Sequence, residues 1–144
     1  MDSGLKARDI MHREVRCIPP DHTLEQAARM MRDLDVGALP ICDNDRLGGM
    51  ITDRDIVVRC IAEGRDPATV RASELSRGTP RWIDADAGVQ EVLDVMEQHQ
   101  IKRLPVIDKA AGMRLVGIIS EADIARNLSD EQIAEFVGKV YHPH

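Results

Sequence analysis

Two short phrases of the chain carry the residue types that could do chemistry. Residues 49–56 read Gly-Met-Ile-Thr-Asp-Arg-Asp-Ile, and residues 117–124 read Gly-Ile-Ile-Ser-Glu-Ala-Asp-Ile. Each sets a hydroxyl three residues ahead of a carboxylate: Thr52 with Asp55, and Ser120 with Asp123. The apolar pair before the hydroxyl reads as a strand end, and the carboxylate falls at the start of a helix. A carboxylate offers two acceptor oxygens, which suit a vicinal diol such as that of ribose. The hydroxyl and the free N–H groups of a helix start suit a phosphate. The same residues also spell a capping box, in which they satisfy only the helix itself. Both readings stand on the residues alone.

The neighbours of the two phrases differ. Asp53 and Arg54 lie between the paired residues of the first, Glu121 and Ala122 in the second. An added acid beside each site repels phosphate unless a cation answers it. Lys102 and Arg103 precede Leu104, where the first copy has Gly37 and Ala38. These two cations are the expected phosphate helpers, with Arg54 a further candidate. Each also reads as a solvated surface charge.

The phrases belong to a longer duplication. Ala7 falls on Ala72, Ile18 on Ile83, Met31 on Met96 and Leu39-Pro40 on Leu104-Pro105, a shift of 65. Beyond a polar turn near residues 109–113 the shift becomes 68, so that Gly49 meets Gly117 and Asp55 meets Asp123. Length changes are tolerated in such turns. Two copies of this period argue for two similar subdomains facing each other rather than a solenoid.

Each copy reads as strand, helix, strand, strand, helix. In the first, residues 15–19 form a strand stopped by Pro19 and Pro20. Thr23 and Gln26 make a capping box, and Leu24, Ala27, Ala28 and Met31 form one apolar helical face. Gly37 is the expected left-handed end of that helix. Residues 38–42 and 47–52 are strands around a polar turn, and a second helix runs to Gly64. The second copy repeats the order, with a strand at 81–84 and Val89, Val92, Leu93 and Met96 as its helical face. A terminal helix is expected over 129–141, from a Ser129–Gln132 capping box with Ile133, Phe136, Val137 and Val140 on one face. It reads as packing on the body or as a dimer contact. The fold class is therefore mixed α and β. The expected divisions are a first repeat at 6–64, a linker at 65–75, a second repeat at 76–128 and a tail at 129–144.

Paired β-α-β-β-α units with Leu-Pro-Ile or Leu-Pro-Val on the middle strand and Gly-apolar-apolar-Thr/Ser-x-x-Asp at the last strand resemble a tandem pair of CBS domains. The likeness covers about Lys6 to Leu128, and extends to stand-alone pairs of the hypoxic-response type. It implies two copies packed about a pseudo-twofold axis, with clefts between them for an adenosine-containing ligand: AMP, ADP, ATP or S-adenosylmethionine. It assigns ribose and phosphate contacts to Thr52, Asp55, Ser120 and Asp123. It also sets an adenine against the strands around Ile18 and Ile83 and around Leu39 and Leu104. The implied protein is a regulatory or sensor homodimer in a stress response, signalling through a protein effector not yet known. The alternative is a constitutive dimeric interaction protein whose clefts stay empty.

Composition narrows the classes further. Hydrophobic residues are 43% of 144, enough for a core, and the net charge of −6 argues against nucleic acid or an anionic membrane as partner. With one Trp, one Tyr and one Phe there is no stacking platform for single strands. Apolar runs are too short to span a bilayer, and the start of the chain lacks a signal-peptide pattern, so a cytoplasmic protein is expected. Cys17, Cys42 and Cys60 lack CxxC spacing, and free, mostly buried thiols are the default in a reducing compartment. Cys17 and Cys42 align with Trp82 and Ile107, which suits burial on adjacent strands and makes a disulfide between them geometrically conceivable. No specific zinc framework is expected; His22 and His99 are the least implausible ligands among the histidines. No nucleophile, metal or P-loop motif is present, so no catalysis is expected.

Overall fold

The computed structural model describes residues 4–13, 15–76, 80–131, 133–134 and 138. Its elements in chain order begin with the short helix α1 (Ala7–Ile10) and the longer α2 (Leu24–Leu34). The hairpin β1 (Ala38–Asp43) and β2 (Arg46–Thr52) leads into α3 (Asp53–Ile56), which continues as a π-helical turn over Val57–Ile61. After α4 (Ala72–Leu75) come β3 (Ile83–Asp84) and α5 (Val89–His99). The second hairpin, β4 (Arg103–Asp108) and β5 (Arg114–Ser120), ends in α6 (Glu121–Asn127).

Local chemistry explains the elements. The Gln26 N–H donates to Thr23 Oγ1 at 3.2 Å and the Thr23 N–H donates to Gln26 Oε1 at 2.9 Å, closing the expected capping box of α2. Leu24, Ala27 and Met31 are buried as expected, while Ala28 is exposed. Full burial of a leucine such as Leu24 stabilises by about 1.5–3 kcal/mol relative to exposure.

The helix end differs from expectation. Asp35 (φ 55°), not Gly37, takes the left-handed position, and the Val36 N–H donates to the Met31 carbonyl at 3.0 Å. Gln100 (φ 52°) does the same in the second copy, with Ile101 N–H on the Met96 carbonyl at 3.1 Å. The six-to-one bond fixes the cap two residues earlier than the glycine suggested. Gly64 (φ 72°) does end its helix as read.

In the first hairpin Asn44 and Asp45 both have positive φ, as a two-residue type I′ turn requires. The three extra residues of the second copy form a 3-10 turn at Lys109–Ala111, followed by Gly112 at φ 78°. Both hairpins shift register at matching points, between Ile41 and Cys42 and between Val106 and Ile107.

The expected strand at 15–19 is reduced to one parallel bridge, Ile18 to Ile41. Its counterpart at 81–84 is the two-residue β3, paired in parallel with β4 through Ile83 and Val106. Pro19 and Pro20 lack the N–H groups a longer ladder needs.

The chain divides into two compact units that cut across the linear order expected from the repeats. Residues 16–80 form one; residues 1–15 and 81–144 form the other. Thus α4 packs within the first unit, with Ala72 and Leu75 in the core of Ile18, Leu39 and Ile51. The lead-in α1 belongs to the second unit, with Ala7 and Ile10 in the core of Ile83, Leu104 and Ile119. The duplicated Ala7 and Ala72 therefore each serve the opposite repeat from the one their sequence position suggests.

Cys17 and Cys42 are disulfide-bonded, with Cα atoms 5.5 Å apart. This corrects the expectation of free thiols for that pair. The cause is the Ile18–Ile41 bridge, in which the Cys42 N–H donates to the Ile18 carbonyl at 3.0 Å and sets the neighbouring cysteines side by side. Cys60 is free and buried, as read. Of the expected terminal helix, Ile133 packs against the second unit's core, while Gln132, Phe136, Val137 and Val140 lie outside the described residues.

Candidate functional site

Each twin phrase forms a strand-to-helix joint. Thr52 and Ser120 end their strands in extended conformation and cap α3 and α6. At the first joint the Asp55 N–H donates to Thr52 Oγ1 at 3.1 Å, and Asp55 Oδ2 accepts the Thr52 N–H at 3.1 Å and its hydroxyl at 2.9 Å. At the second, Asp123 Oδ2 accepts the Ser120 N–H at 2.8 Å and hydroxyl at 2.9 Å. The first phrase realises its capping box in full, while in the second the carboxylate returns to Ser120 but the Ser120 hydroxyl takes no helix N–H.

What differs is how much carboxylate remains. Asp123 is 1% exposed. Its Oδ2 also takes the His12 Nδ1–H at 2.7 Å, and its Oδ1 pairs with Arg126. A carboxylate only accepts, so the His12 nitrogen facing it must carry the proton. The lead-in after α1 brings that histidine: His12 and Ile118 exchange backbone hydrogen bonds of 3.0 and 3.1 Å, adding the segment to the edge of β5. Gly117 makes room, since a Cβ there would sit 2.9 Å from the His12 carbonyl oxygen.

Asp55 keeps 20% of its side chain exposed, and Arg59 Nη1 stands 3.8 Å from its Oδ1. Arg59 is itself fixed by donating to the Leu75 carbonyl at 2.5 Å, a contact supplied by α4. A cavity of about 240 Å³ opens beside this joint, lined by Thr52, Arg54, Asp55, Val58 and Arg59. Hydroxyl, carboxylate and two guanidinium groups are thus gathered at one place. Such a set accepts a diol at the carboxylate and an oxyanion at the cations.

The other expected contacts fall as follows. Arg103 is exposed and stands across from Ser120 in the β4–β5 register, as Ala38 stands across from Thr52; Lys102 is exposed one residue earlier. Ile18, Leu39, Ile83 and Leu104 are 0–4% exposed, and their side chains fill the cores of the units.

Sequence reading missed His12, Arg59 and Arg126. The two arginines lie four and three residues after their aspartates, a helical spacing at which side chains meet, so that signal was available. His12 is 111 residues from Asp123, and no local pattern announces it. Among the described residues no group of three or more His, Cys, Asp or Glu converges as a metal ion needs. None of their helices is long and apolar enough to cross a membrane.

Comparison with known proteins places this geometry. Over 138 residues the chain is 52% identical to hypoxic response protein 1 of Mycobacterium tuberculosis, covering 95% of this chain and 94% of that protein. It is 37% identical to the CBS domain-containing protein YhcV of Bacillus subtilis, over 94% of each chain. A crystal structure of hypoxic response protein I with two coordinated zinc ions superposes with a TM-score of 0.78 at 53% identity, covering 87% of this chain and all of that one. A hexameric CBS-CP12 protein from bloom-forming cyanobacteria gives 0.74 at 32% identity, over 90% of this chain and 74% of its own. Residues 7–61 and 72–130 each match the CBS domain family, so the chain belongs to that family as a tandem CBS pair.

Proposed function

We propose that this CBS pair is a regulatory module that takes an adenosine-containing nucleotide at the joint of its first repeat. The observation that carries the reading is the contrast between the aspartates: Asp55 is partly open beside a cavity with Arg54 and Arg59, while Asp123 is enclosed by His12, Arg126 and Ser120. In this reading Asp55 holds the ribose diol, and Arg54 and Arg59 face the phosphate. Lys102 and Arg103 serve the second joint only where a ligand displaces His12 from Asp123. The likeness to hypoxic response protein 1 supports a role in stress physiology. No catalytic step is assigned; ligand binding shifts the balance between arrangements of the module that differ in affinity for it.

The test is thermal and urea unfolding with AMP, ADP, ATP and S-adenosylmethionine in turn. A ligand at a hundred times its dissociation constant stabilises by about 2.7 kcal/mol. The reading expects stabilisation by at least one of the three nucleotides, lost in Asp55→Ala and Arg59→Gln and kept in Asp123→Asn; stabilisation by S-adenosylmethionine alone, which has no phosphate, would remove the role given to Arg54 and Arg59. Stabilisation that survives Asp55→Ala would move the site elsewhere.

A second reading, a constitutive self-associating protein, is favoured by one observation. Val57, Val58 and Ile61 are 58%, 43% and 54% exposed on a single turn. Indifference to every nucleotide, together with a stable dimer dissociated by Val57→Lys, would support it.

A further inference from the structure

We propose a second, copy-specific binding site on the first unit, beside α2, which takes a small phosphate monoester with an apolar body. A cavity of about 330 Å³ lies between α2 and the extended segment before it. Arg16, His22, Gln26 and Arg29 supply its polar wall; Met30 and Leu34 supply the apolar one. This volume sits near the lower end of ligand pockets, roughly 300–1,000 Å³, and so fits a small molecule.

The charges select an anion. Arg16 has no ion-pair or hydrogen-bond partner among the described residues. Arg29 is paired with Glu25 through one terminal nitrogen, which leaves further donors of its five. The acidic group of the lining, Asp33, is already answered by Arg32 at 2.9 Å. Two guanidinium groups and an amide favour oxygens presented in a fork, and they repel a metal ion. His22 adds a separate sign of incompleteness. Its Nδ1 is buried without a hydrogen-bond partner, a condition folded proteins seldom leave unanswered.

The duplication serves as an internal control. Positions that the fold needs agree between copies, as Leu39 with Leu104. By the same shift of 65, His22 becomes Ala87, Gln26 becomes Glu91 and Arg29 becomes Asp94, while Arg16 is matched by Arg81. The second copy folds with an acidic version of the wall. The basic version in the first copy is therefore not a requirement of the fold, and the chemistry it adds is anion binding.

The test is an NMR titration of the whole isotope-labelled chain with inorganic phosphate, phenyl phosphate and acetate. Saturable shifts are expected at the amides of Arg16, Gln26 and Arg29, with phenyl phosphate tighter than inorganic phosphate because its ring lies on Met30 and Leu34. Arg16→Gln and Arg29→Gln should each weaken binding about tenfold or more, the loss of one charge-assisted hydrogen bond. Both side chains are exposed, so both variants fold. Arg59→Gln, at the separate joint, should leave these shifts unchanged. Shifts that stay linear to tens of millimolar, or saturation that survives both arginine substitutions, would overturn the proposal. Acetate binding as tightly as phosphate would overturn its assignment to a phosphate.

Discussion

Removing the two joint carboxylates one at a time should have unequal effects on stability, and the difference can be worked out from their surroundings. Losing an N-terminal cap costs about 0.5–2 kcal/mol, typically near 1. Asp55→Ala keeps the bond from its own N–H to Thr52 Oγ1 but loses the carboxylate half of the capping box, the bonds from the Thr52 N–H and hydroxyl, and with it a 3.8 Å contact with Arg59, whose side chain is 31% exposed and rehydrates readily. Its total should stay near 1 kcal/mol, because exposed ion pairs contribute only about 0–1 kcal/mol. Asp123→Ala loses the same cap interactions and in addition strips a buried acceptor from His12 and Arg126. Hydrogen bonds to charged groups are worth about 1.5–3 kcal/mol when buried. His12 and Arg126 are 40% and 65% exposed, so water recovers much of that. A further loss of about 1–2 kcal/mol remains, for a total of about 2–3 kcal/mol. Urea unfolding at neutral pH measures both variants. Trp82 fluorescence follows the second unit and far-UV circular dichroism follows both, so coincident transitions establish that the comparison is two-state. Asp123→Asn, which keeps an acceptor oxygen, should fall between wild type and Asp123→Ala. An Asp55→Ala protein as unstable as Asp123→Ala would refute the claim that Asp55 is the less committed carboxylate. The basis for placing a ligand at the first joint would fall with it.

Gly117→Ala should destabilise by about 1–3 kcal/mol, the usual range for overpacking, because the new methyl meets the His12 carbonyl oxygen and Met11 Cγ at 2.9 and 2.8 Å; denaturant midpoints check it. Reducing Cys17–Cys42, or replacing both by serine, should lower stability by about 3.5 kcal/mol, the chain-entropy value for the loop that its sequence separation of 25 closes. Unfolding with and without reductant measures this, and a double-serine protein that still responds to reductant would point to Cys60. Hydrogen bonding from the Arg71 N–H, at 2.7 Å, holds the Glu74 carboxyl below its usual range, aided by Arg65. A lowered folded value means the contribution is complete above the ordinary carboxylate pKa and lost as pH falls through the lowered one. The stability gap between wild type and Glu74→Gln should therefore close on acidification across that window.

The sequence made the repeating architecture legible because its strongest signals are local. The Thr23–Gln26 capping box, the apolar face of Leu24, Ala27 and Met31, and the polar turns between strands all depend on residues within one turn or hairpin. The insertion near residues 109–113 was readable as a turn and became a 3-10 turn. What local signals could not carry was which segments pack together. Ala7 and Ala72 aligned, yet alignment does not say which core each enters, and each enters the one opposite to its own repeat. His12 was hidden for the same reason, since its partner is reached only after the lead-in has joined the edge of β5. Glycine bears the left-handed conformation at least cost, which points to Gly37. Asp35 bears it instead because the bond from Val36 to the Met31 carbonyl satisfies an orphan group at the helix end.

At the twin phrase capping and ligand binding compete for the same oxygen atoms. Asp55 and Asp123 both direct Oδ2 back to their own cap. A ligand diol can therefore engage only the remaining oxygen, Oδ1, without undoing the helix start. At the second joint Oδ1 is held by Arg126, and His12 adds to the load on Oδ2. At the first joint Oδ1 faces Arg59 at 3.8 Å, beyond hydrogen-bond length, and the cavity opens on that side. One duplicated phrase thus serves two ends: in the second repeat it is spent on the fold, and in the first the fold leaves one carboxylate oxygen over. Restoring that oxygen in the second repeat is a direct test of the argument. His12→Ala with Arg126→Ala should uncover Asp123 while keeping its cap from Ser120. Nucleotide stoichiometry by calorimetry should then rise from one per chain to two. A stoichiometry that stays at one in the double variant would mean that the open carboxylate is not what admits the ligand.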